Sequence, residues 1–184
     1  MVTLRPFTEN DFDRLIGWID SEAHMVQWAG AVQFTYPLTR PQLEAYLLDA
    51  ARTPPLRYVF TAVDAEGNPC GHIELGAVNR ANETASLCRV LVAPGARGKG
   101  LSAPMVRNVL RMGFEGLHLR RIELRVFGFN SAAISSYLRA GFVREGLLRK
   151  SQKVGNEYWD TILMGMLREE WQQRDGVGDG PLHA

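Results

Sequence analysis

Apolar residues recur at helical spacing in the first fifty residues of the chain and alternate with polar residues after that. Thr8 is a helix-capping residue, and the apolar positions that follow it predict a helix over residues 9–20. The motif Thr39-Arg40-Pro41-Gln42 predicts the start of a second helix, because it combines a cap with a proline in the first turn. Residues 2–6 alternate like a short strand. The chain is therefore expected to begin with one strand and two helices.

Between residues 58 and 92, apolar and polar residues alternate with a period of two, which is typical of β-strands. Alternating stretches at residues 58–63, 71–75 and 84–92 are separated by turn residues, so they predict an antiparallel meander. A helical period returns over residues 101–116. The remaining predicted elements are a strand at 122–126, a short helix that Asn130 caps and Gly141 ends, and two closing strands at 142–148 and 158–167.

Composition places the chain among ordinary globular domains. Its 184 residues are 46% hydrophobic and 22% charged, which is enough to bury a core without stabilising cross-links such as disulfide bonds. We expect one domain over residues 1–171. The glycine-rich segment at residues 172–184 is expected to be a disordered tail.

Charge, hydropathy and cysteine content give no support to several classes of protein. The formal charge is +1, from 21 basic and 20 acidic residues, and does not favour binding to nucleic acid. No window approaches the ~20 apolar residues that span a bilayer, so no membrane partner is expected. Two cysteines, Cys70 and Cys88, are too few for a disulfide scaffold. A soluble, cytoplasmic protein is predicted.

A glycine-rich loop joins the last strand of the meander to the next helix, in the segment Leu91-Val92-Ala93-Pro94-Gly95-Ala96-Arg97-Gly98-Lys99-Gly100-Leu101-Ser102. Such a junction directs unpaired backbone N–H groups and the positive end of a helix dipole toward one point. This arrangement suits a phosphate or pyrophosphate. A Cβ at Gly98 or Gly100 would keep the backbone away from that ligand.

Two common nucleotide motifs fit this loop poorly. The Walker A pattern needs Ser or Thr after Gly98-Lys99, where the chain has Gly100, and a glycine at position 93, where it has alanine. The dinucleotide fingerprint is met superficially by Gly98-x-Gly100-x-x-Ala103. However, that fingerprint opens a parallel βαβ unit, whereas this loop follows an antiparallel meander.

The loop residues Arg97-Gly98-Lys99-Gly100-Leu101-Ser102 resemble the acetyl-CoA pyrophosphate loop of the GNAT N-acetyltransferases, Gln/Arg-x-x-Gly-x-Gly/Ala, with a departure at Ser102. Downstream, the stretch from Asn130 to Phe142 is similar to the second signature of the family, Asn-x-x-Ala-x-x-x-Tyr-x-x-x-Gly-Phe. Leu4-Arg5-Pro6 and Glu145-Gly146 resemble the branch that includes ribosomal-protein N-terminal acetyltransferases and some aminoglycoside acetyltransferases. The resemblance covers nearly the whole chain.

The fold that this resemblance implies is of the α/β (α+β) class. It is a single domain with a mixed, mostly antiparallel seven-stranded sheet that is flanked by helices and split between the fourth and fifth strands. Acetyl-CoA enters the split in this family. The implied order of elements agrees with the order predicted above from periodicity.

The resemblance also implies a cofactor site. The backbone of Leu91 and Val92 would pair with the pantetheine arm and stabilise the oxyanion at the thioester. The residues implied in acetyl-CoA binding are Leu91, Val92, Arg97, Gly98, Lys99, Gly100, Leu101, Ser102, Asn130 and Ala133. Tyr137 lies two helical turns after Asn130, and its phenol is the implied acid that protonates the departing CoA thiolate.

The general base and the acceptor are less defined. Glu83 is preferred as the base for its position at the start of the fourth strand, with Glu74 or ordered water as alternatives. No Cys-x-x-Cys or His-x-x-x-His pair supports a metal, so Cys70, His72 and Cys88 are interpreted as core or near-core residues.

The implied reaction is direct acetyl transfer from acetyl-CoA to a primary amine, carried by a small molecule or by a peptide or protein N-terminus. An aminoglycoside acetyltransferase is one alternative, and it would need an acidic pocket. A non-catalytic acyl-CoA sensor is the other. The oligomeric state, with a homodimer among the options, stays open.

Overall fold

The computed structural model describes residues 1–30 and 33–175. Its strands are β1 (Thr3–Pro6), β2 (Tyr58–Val63), β3 (Pro69–Asn79), β4 (Thr84–Val92), β5 (Arg121–Phe127), β6 (Val143–Val154) and β7 (Glu157–Leu167). Its α-helices are α1 (Phe12–Trp18), α2 (Glu22–Ala29), α3 (Arg40–Leu48), α4 (Ser102–Arg111), α5 (Ser131–Ala140) and α6 (Arg168–Asp175).

The strands form one mixed sheet in the order β1-β2-β3-β4-β5-β7-β6. Neighbouring strands are antiparallel except for β4 and β5, which run parallel. The ladder between β4 and β5 has three residue pairs, from Thr84–Arg121 to Ser86–Glu123, and ends there. The predicted seven-stranded sheet, split between its fourth and fifth strands, is confirmed.

Two apolar cores cover the sheet. The larger core packs α4 and α5 against β3, β4, β5 and β7, and includes Val106, Ile122 and Ile134. The smaller core packs α1, α2 and α3 against β2 and β4, and includes Phe12 and Tyr46. Residues of β4 enter both cores: Ala85 and Leu87 belong to the larger core and Leu91 to the smaller one.

The far end of the sheet has much less cover. β6 is an edge strand, and its residues from Val143 to Ser151 are all exposed. Leu147 is 55% exposed and Leu148 is 41% exposed. On β5, Ile122 and Leu124 are buried, whereas Arg125 faces outward. The half of the sheet beyond the split therefore presents an open surface.

The first helices differ from the prediction. The stretch predicted as one helix over residues 9–20 is a short 3₁₀ turn, Glu9–Asp11, followed by α1. Sequence reasoning missed α2, although Ser21 was a readable start signal. The Ser21 hydroxyl caps this helix by accepting a hydrogen bond from the His24 N–H at 3.2 Å.

Two later elements also need correction. The helix predicted over residues 101–116 is α4 followed by a π-helical turn, Met112–Gly116. Residues 172–175, expected to start the disordered tail, belong to α6, and residues 176–184 lie outside the described part of the chain. In residues 1–30 and 33–175, no helix is long and apolar enough to cross a bilayer.

Candidate active site

The divergence of β4 and β5 opens a cavity of about 350 Å³. Cys88, Arg89 and Val90 of β4 form one wall, and residues 124–127 of β5 form the opposite wall. The end of α2, one side of α5 and parts of β6 and β7 complete the lining. Ligands of open sheets commonly bind where adjacent strands part, so this cavity is the candidate active site.

β4 contains a bulge in the wall of this cavity. His72 pairs with Leu91 and Glu74 pairs with Cys88, so two residues of β4, Arg89 and Val90, stand opposite a single residue of β3. Arg89 has a φ of +53°, in the left-handed region that residues with a Cβ rarely adopt. The bulge lies just beyond the last β4–β5 pair and accompanies the start of the split.

The glycine-rich loop leads into the N-terminus of α4. Gly98 and Gly100 have φ values of +78° and +72°. A Cβ placed on either glycine would meet no neighbouring atom within 4 Å in the described part of the chain. These glycines are thus needed for backbone conformation rather than for space inside the protein. The first N–H groups of α4 have no intrahelical partner, so the loop and helix start can direct them to an anion.

The side chains of the loop have separate environments. Arg97 and Lys99 are exposed. The Arg97 Nη2 atom lies 3.4 Å from His24 Nε2 on α2. The Ser102 hydroxyl lies 3.2 Å from the Ser136 hydroxyl, which links the start of α4 to α5. A role for Arg97, Lys99 and Ser102 in binding an anion stays a prediction.

Leu91 and Val92 line a second cavity of about 420 Å³ together with Val90 and Arg97. The Leu91 side chain belongs to the smaller core and Val92 packs against the larger one. In the described part of the chain, no strand pairs with this end of β4 on the β5 side. Its backbone is available to an extended ligand such as a pantetheine arm.

α5 brings Asn130, Ala133 and Tyr137 to the same side, where all three line the first cavity. The Asn130 side chain accepts a hydrogen bond from the Ala133 N–H at 3.2 Å, which confirms the predicted cap. The Tyr137 ring packs edge-on against Phe142. Burial raises the pKa of the Tyr137 phenol well above its ordinary value. The phenol is therefore protonated at neutral pH.

Cys88 lies in the same cavity as Tyr137. Burial raises the pKa of its thiol to about 12, and the charge of Glu74 adds to this rise. The thiol donates a hydrogen bond to the Ser86 carbonyl at 3.4 Å. A protonated thiol is a poor nucleophile, so Cys88 is not suited to carry an acyl group.

Glu83 directly precedes β4, as predicted, but this end of the strand is not part of the cavity. It lies at the closed end of β4, next to the Thr84–Arg121 pair. Its carboxylate is exposed and is 3.5 Å from Arg168. It lines neither cavity. The structure does not bring Glu83 to the site, because the sheet opens at the other end of this strand.

Glu74, the alternative base, is buried in a polar cluster. Its carboxylate accepts hydrogen bonds from the Tyr46 hydroxyl and from Arg89 Nη1, the latter at 2.5 Å. Arg57 Nη1 is 3.5 Å from the same carboxylate. Nearby, burial lowers the pKa of His72 to about 3, so that imidazole is neutral. Sequence reasoning did not identify Tyr46 or Arg89.

Glu123 is the carboxylate found in the lining of the first cavity. It pairs with Ser86 at the point where the strands part. One of its oxygens accepts a hydrogen bond from Arg121 Nη2 at 3.2 Å, and Arg121 also donates to Glu145 of β6. Sequence reasoning gave Glu123 no role.

A metal centre finds no support in the described residues. No group of three or more His, Cys, Asp or Glu side chains is placed there to hold a metal ion. Cys70 is a free, buried thiol of the larger core. His72 is buried against the rings of Phe7 and Trp28.

Comparisons with known proteins agree with this geometry. Residues 1–143 match the family described as acetyltransferase (GNAT) domain. The SPbeta prophage-derived uncharacterized N-acetyltransferase YokL of Bacillus subtilis is 35% identical over 117 residues, which cover 64% of this chain and 66% of that protein. The spermidine N(1)-acetyltransferase of Vibrio cholerae is 30% identical over 115 residues, or 62% of this chain and 66% of that protein. The matched region thus spans just under two thirds of these two relatives.

A solved structure extends the likeness to most of the chain. The spermidine N-acetyltransferase from Vibrio cholerae in complex with CoA and spermine superposes with a TM-score of 0.81 at 26% identity. It covers 92% of this chain and 97% of that chain. The two motifs, the split sheet and these matches lead to the same conclusion: the chain belongs to the GNAT family of acetyltransferases.

Proposed function

We propose that the protein transfers the acetyl group of acetyl-CoA directly to a primary amine of a small molecule. The observation that carries this proposal is the cavity between β4 and β5, which Tyr137, Asn130 and the β4 bulge all line. The glycine-rich loop at the start of α4 would hold the pyrophosphate, and the open edge of β4 would pair with the pantetheine arm.

In the proposed reaction, a neutral amine nitrogen attacks the thioester carbon. A C–N bond forms, the carbonyl oxygen becomes an oxyanion, and collapse of the intermediate breaks the C–S bond. Tyr137 gives its phenolic proton to the leaving thiolate. The position of Tyr137 in the cavity supports the role, and burial keeps the phenol protonated at neutral pH, although the raised pKa makes it a weaker acid. The protonated state of Cys88 supports direct transfer rather than an acyl-enzyme.

We propose Glu123 in place of Glu83 as the acceptor of the amine proton, either directly or through water. Glu123 lies in the cavity lining at the closed end of the split. An aliphatic amine is mostly protonated at neutral pH, so its attack requires a nearby base.

The acceptor is proposed to be a small amine that brings one charged nitrogen into the cavity. Spermidine is the first compound to test, because relatives carry that name. The lining includes Arg125 as well as Glu123, so it is not an acidic pocket for a polycation. The remaining ammonium groups of spermidine would have to stay outside, on the open face of β5 and β7.

A peptide N-terminus is the second acceptor class. The exposure of Arg125, Leu148 and Ser151 beside the cavity leaves room for an extended chain on the outer face of the sheet. An α-amino group, with an ordinary pKa near 7.7–8.0, is already partly neutral at pH 7 and depends less on a base.

The test is an acceptor panel with acetyl-CoA, followed by release of free thiol and by the mass of the product. The panel contains spermidine, putrescine, butylamine, an aminoglycoside, and one peptide with and without an N-terminal acetyl group. We expect turnover with the small amines and none with the blocked peptide. Binding of acetyl-CoA without turnover of any amine would contradict the proposal and favour an acyl-CoA sensor.

A further inference from the structure

Arg89, the residue of the β4 bulge with a positive φ, has its side chain in a buried polar cluster. We infer that Glu74 is a positioning residue which, through Arg89, fixes the Arg89–Val90 peptide in the wall of the cavity. Tyr46, Glu74 and Arg89 are named here the bulge anchor. This inference rests on the proposed function, because the wall matters only if a thioester lies against it.

The backbone of Arg89 needs such support. Its φ of +53° lies in the left-handed region, where a Cβ crowds the backbone and which glycine adopts freely. The bulge also removes one regular pairing with β3. Contacts elsewhere must therefore hold this conformation.

The side chain of Arg89 supplies those contacts. Its Nη1 atom donates to Glu74 at 2.5 Å, and the Tyr46 hydroxyl donates to the same carboxylate oxygen. The guanidinium lies over the rings of Phe34 and Tyr46, 5.5 and 5.1 Å from their centroids. The side chains of Arg89 and Glu74 are only 11% and 2% exposed. The contacts of the anchor are therefore short and shielded from water.

The carbonyl of the same residue is fixed from α2. The Trp28 indole N–H donates to the Arg89 carbonyl at 3.1 Å. In a trans peptide the next N–H points opposite to the carbonyl, so this bond and the anchor together set the direction of the Val90 N–H. Val90 lines both cavities. A backbone N–H at that position is the kind of group that stabilises a thioester oxyanion.

Stability alone is a weak explanation for the anchor. A buried ion pair costs desolvation, and replacing such a pair with apolar side chains of similar size is often neutral or stabilising. An apolar cluster could fill this space between α3 and β3. It could not hold Arg89 in the left-handed region, because apolar side chains offer no partner for the guanidinium.

A matched pair of variants separates conformation from charge. Arg89→Gly and Arg89→Ala both remove the guanidinium, but only glycine keeps a positive φ without an anchor. We expect kcat of Arg89→Gly to stay within about threefold of wild type and kcat of Arg89→Ala to fall at least tenfold. Equal kcat values in the two variants, at any level, would overturn the inference.

The role of Glu74 is tested by its dependence on Arg89. Glu74→Gln is expected to lower kcat about tenfold in the Arg89 chain and to have no further effect in the Arg89→Gly chain. Tyr46→Phe removes one hydroxyl from the anchor. It should lower kcat about threefold in the Arg89 chain and have no further effect in the Arg89→Gly chain. This variant replaces Glu74→Gln in the test if the Glu74 variant does not fold. Equal effects in both backgrounds would assign these residues to stability alone.

Two further measurements complete the design. Asp11→Asn removes another buried carboxylate that pairs with arginine, remote from the cavity, and should lower Tm while leaving kcat unchanged. Calorimetry with acetyl-CoA and with CoA needs no acceptor: Arg89→Ala should weaken acetyl-CoA binding and leave CoA binding unchanged. This result distinguishes failure of the anchor from failure of the proposed amine transfer. Equal losses for both ligands would contradict the inference.

Discussion

β3 and β6 are strands of nearly equal length with opposite surroundings. β3 has 11 residues, and those from Cys70 to Gly76 are all buried, because the larger core covers some of its side chains and residues of α2 and α3 contact His72 and Glu74. β6 has 12 residues, and those from Val143 to Ser151 are all exposed. The two strands lie on opposite sides of the split in one continuous sheet.

This difference indicates a division of labour across the split. The covered half, from β1 to β4, contains the buried ion pairs of Asp11 and Glu74. It can therefore hold the bulge and the edge of β4 in one geometry. The open half, with β5 to β7 and α5, contributes Tyr137 and Glu123 to the cavity. Apart from the bulge anchor, changes in the covered half should mainly alter stability, and changes in the open half should mainly alter turnover.

The largest expected effect is that of Tyr137→Phe in the open half. This change removes one hydroxyl and keeps the ring against Phe142, so stability and acetyl-CoA affinity should stay close to wild type. If the phenol protonates the leaving thiolate, kcat should fall roughly 10²-fold. Steady-state kinetics and Tm on one preparation test this. Wild-type kcat would exclude the general-acid role.

Asp11→Asn tests the covered half. Burial alone would raise the pKa of Asp11, but hydrogen bonds from Arg5 and the Thr8 N–H outweigh it and lower this pKa to about 2. The carboxylate therefore stabilises the fold by about 2 kcal/mol above its ordinary pKa of 3.8. That contribution is lost as pH falls from 3.8 to about 2.

The measurement for Asp11 is the free energy of unfolding in urea between pH 7 and pH 3. Wild type should lose stability toward pH 3, while the variant should be less stable at pH 7 and depend less on pH over this range. Its kcat at pH 7 should match wild type. A loss of turnover in folded Asp11→Asn would break the proposed division.

Gly100→Val tests the junction between the two halves. A β-branched residue strains a backbone with a φ of +72°, so the loop should shift and acetyl-CoA binding should weaken about tenfold, or 1.4 kcal/mol. Gly95→Val is the control, because Gly95 lies in the same loop without a positive φ. Calorimetry measures both. Unchanged affinity in a folded Gly100→Val variant would remove the phosphate assignment.

The smallest predicted effects compare two carboxylates at the β4–β5 ladder. Glu123→Gln should lower kcat/KM for an aliphatic amine about fivefold near neutral pH, with a smaller deficit at high pH, where the amine is already neutral. Glu83→Gln should leave kcat/KM unchanged, because Glu83 pairs with Arg168 at the closed end. A pH–rate profile for each variant decides the matter. The reverse pattern would assign the role of general base to Glu83.

Much of this fold could be predicted because its local signals agree. The meander, α4, the Asn130 cap and the closing strands follow directly from period, turn residues and capping chemistry. Asn130 and Tyr137 are two helical turns apart, and both line the cavity, while their roles there stay predictions.

The missed features depend on contacts distant in sequence. Glu83 and Glu123 are both strand carboxylates, and only the point where the parallel ladder ends shows which one faces the cavity. The bulge at Arg89 carries no turn residue, since its conformation is held by Glu74, fifteen positions earlier. Long-range ion pairs of this kind leave no periodic signal.

The bare edge of β6 also has a consequence for association between molecules. An exposed edge strand offers unpaired backbone groups to any other strand, which favours aggregation. In β6, Arg144, Arg149, Lys150 and Lys153 crowd positive charge along this edge, and Lys150, with a φ of +50°, lies where the register with β7 shifts. Charge and irregularity both oppose edge-to-edge pairing. The features of β6 thus discourage a second strand from covering the open surface of the sheet.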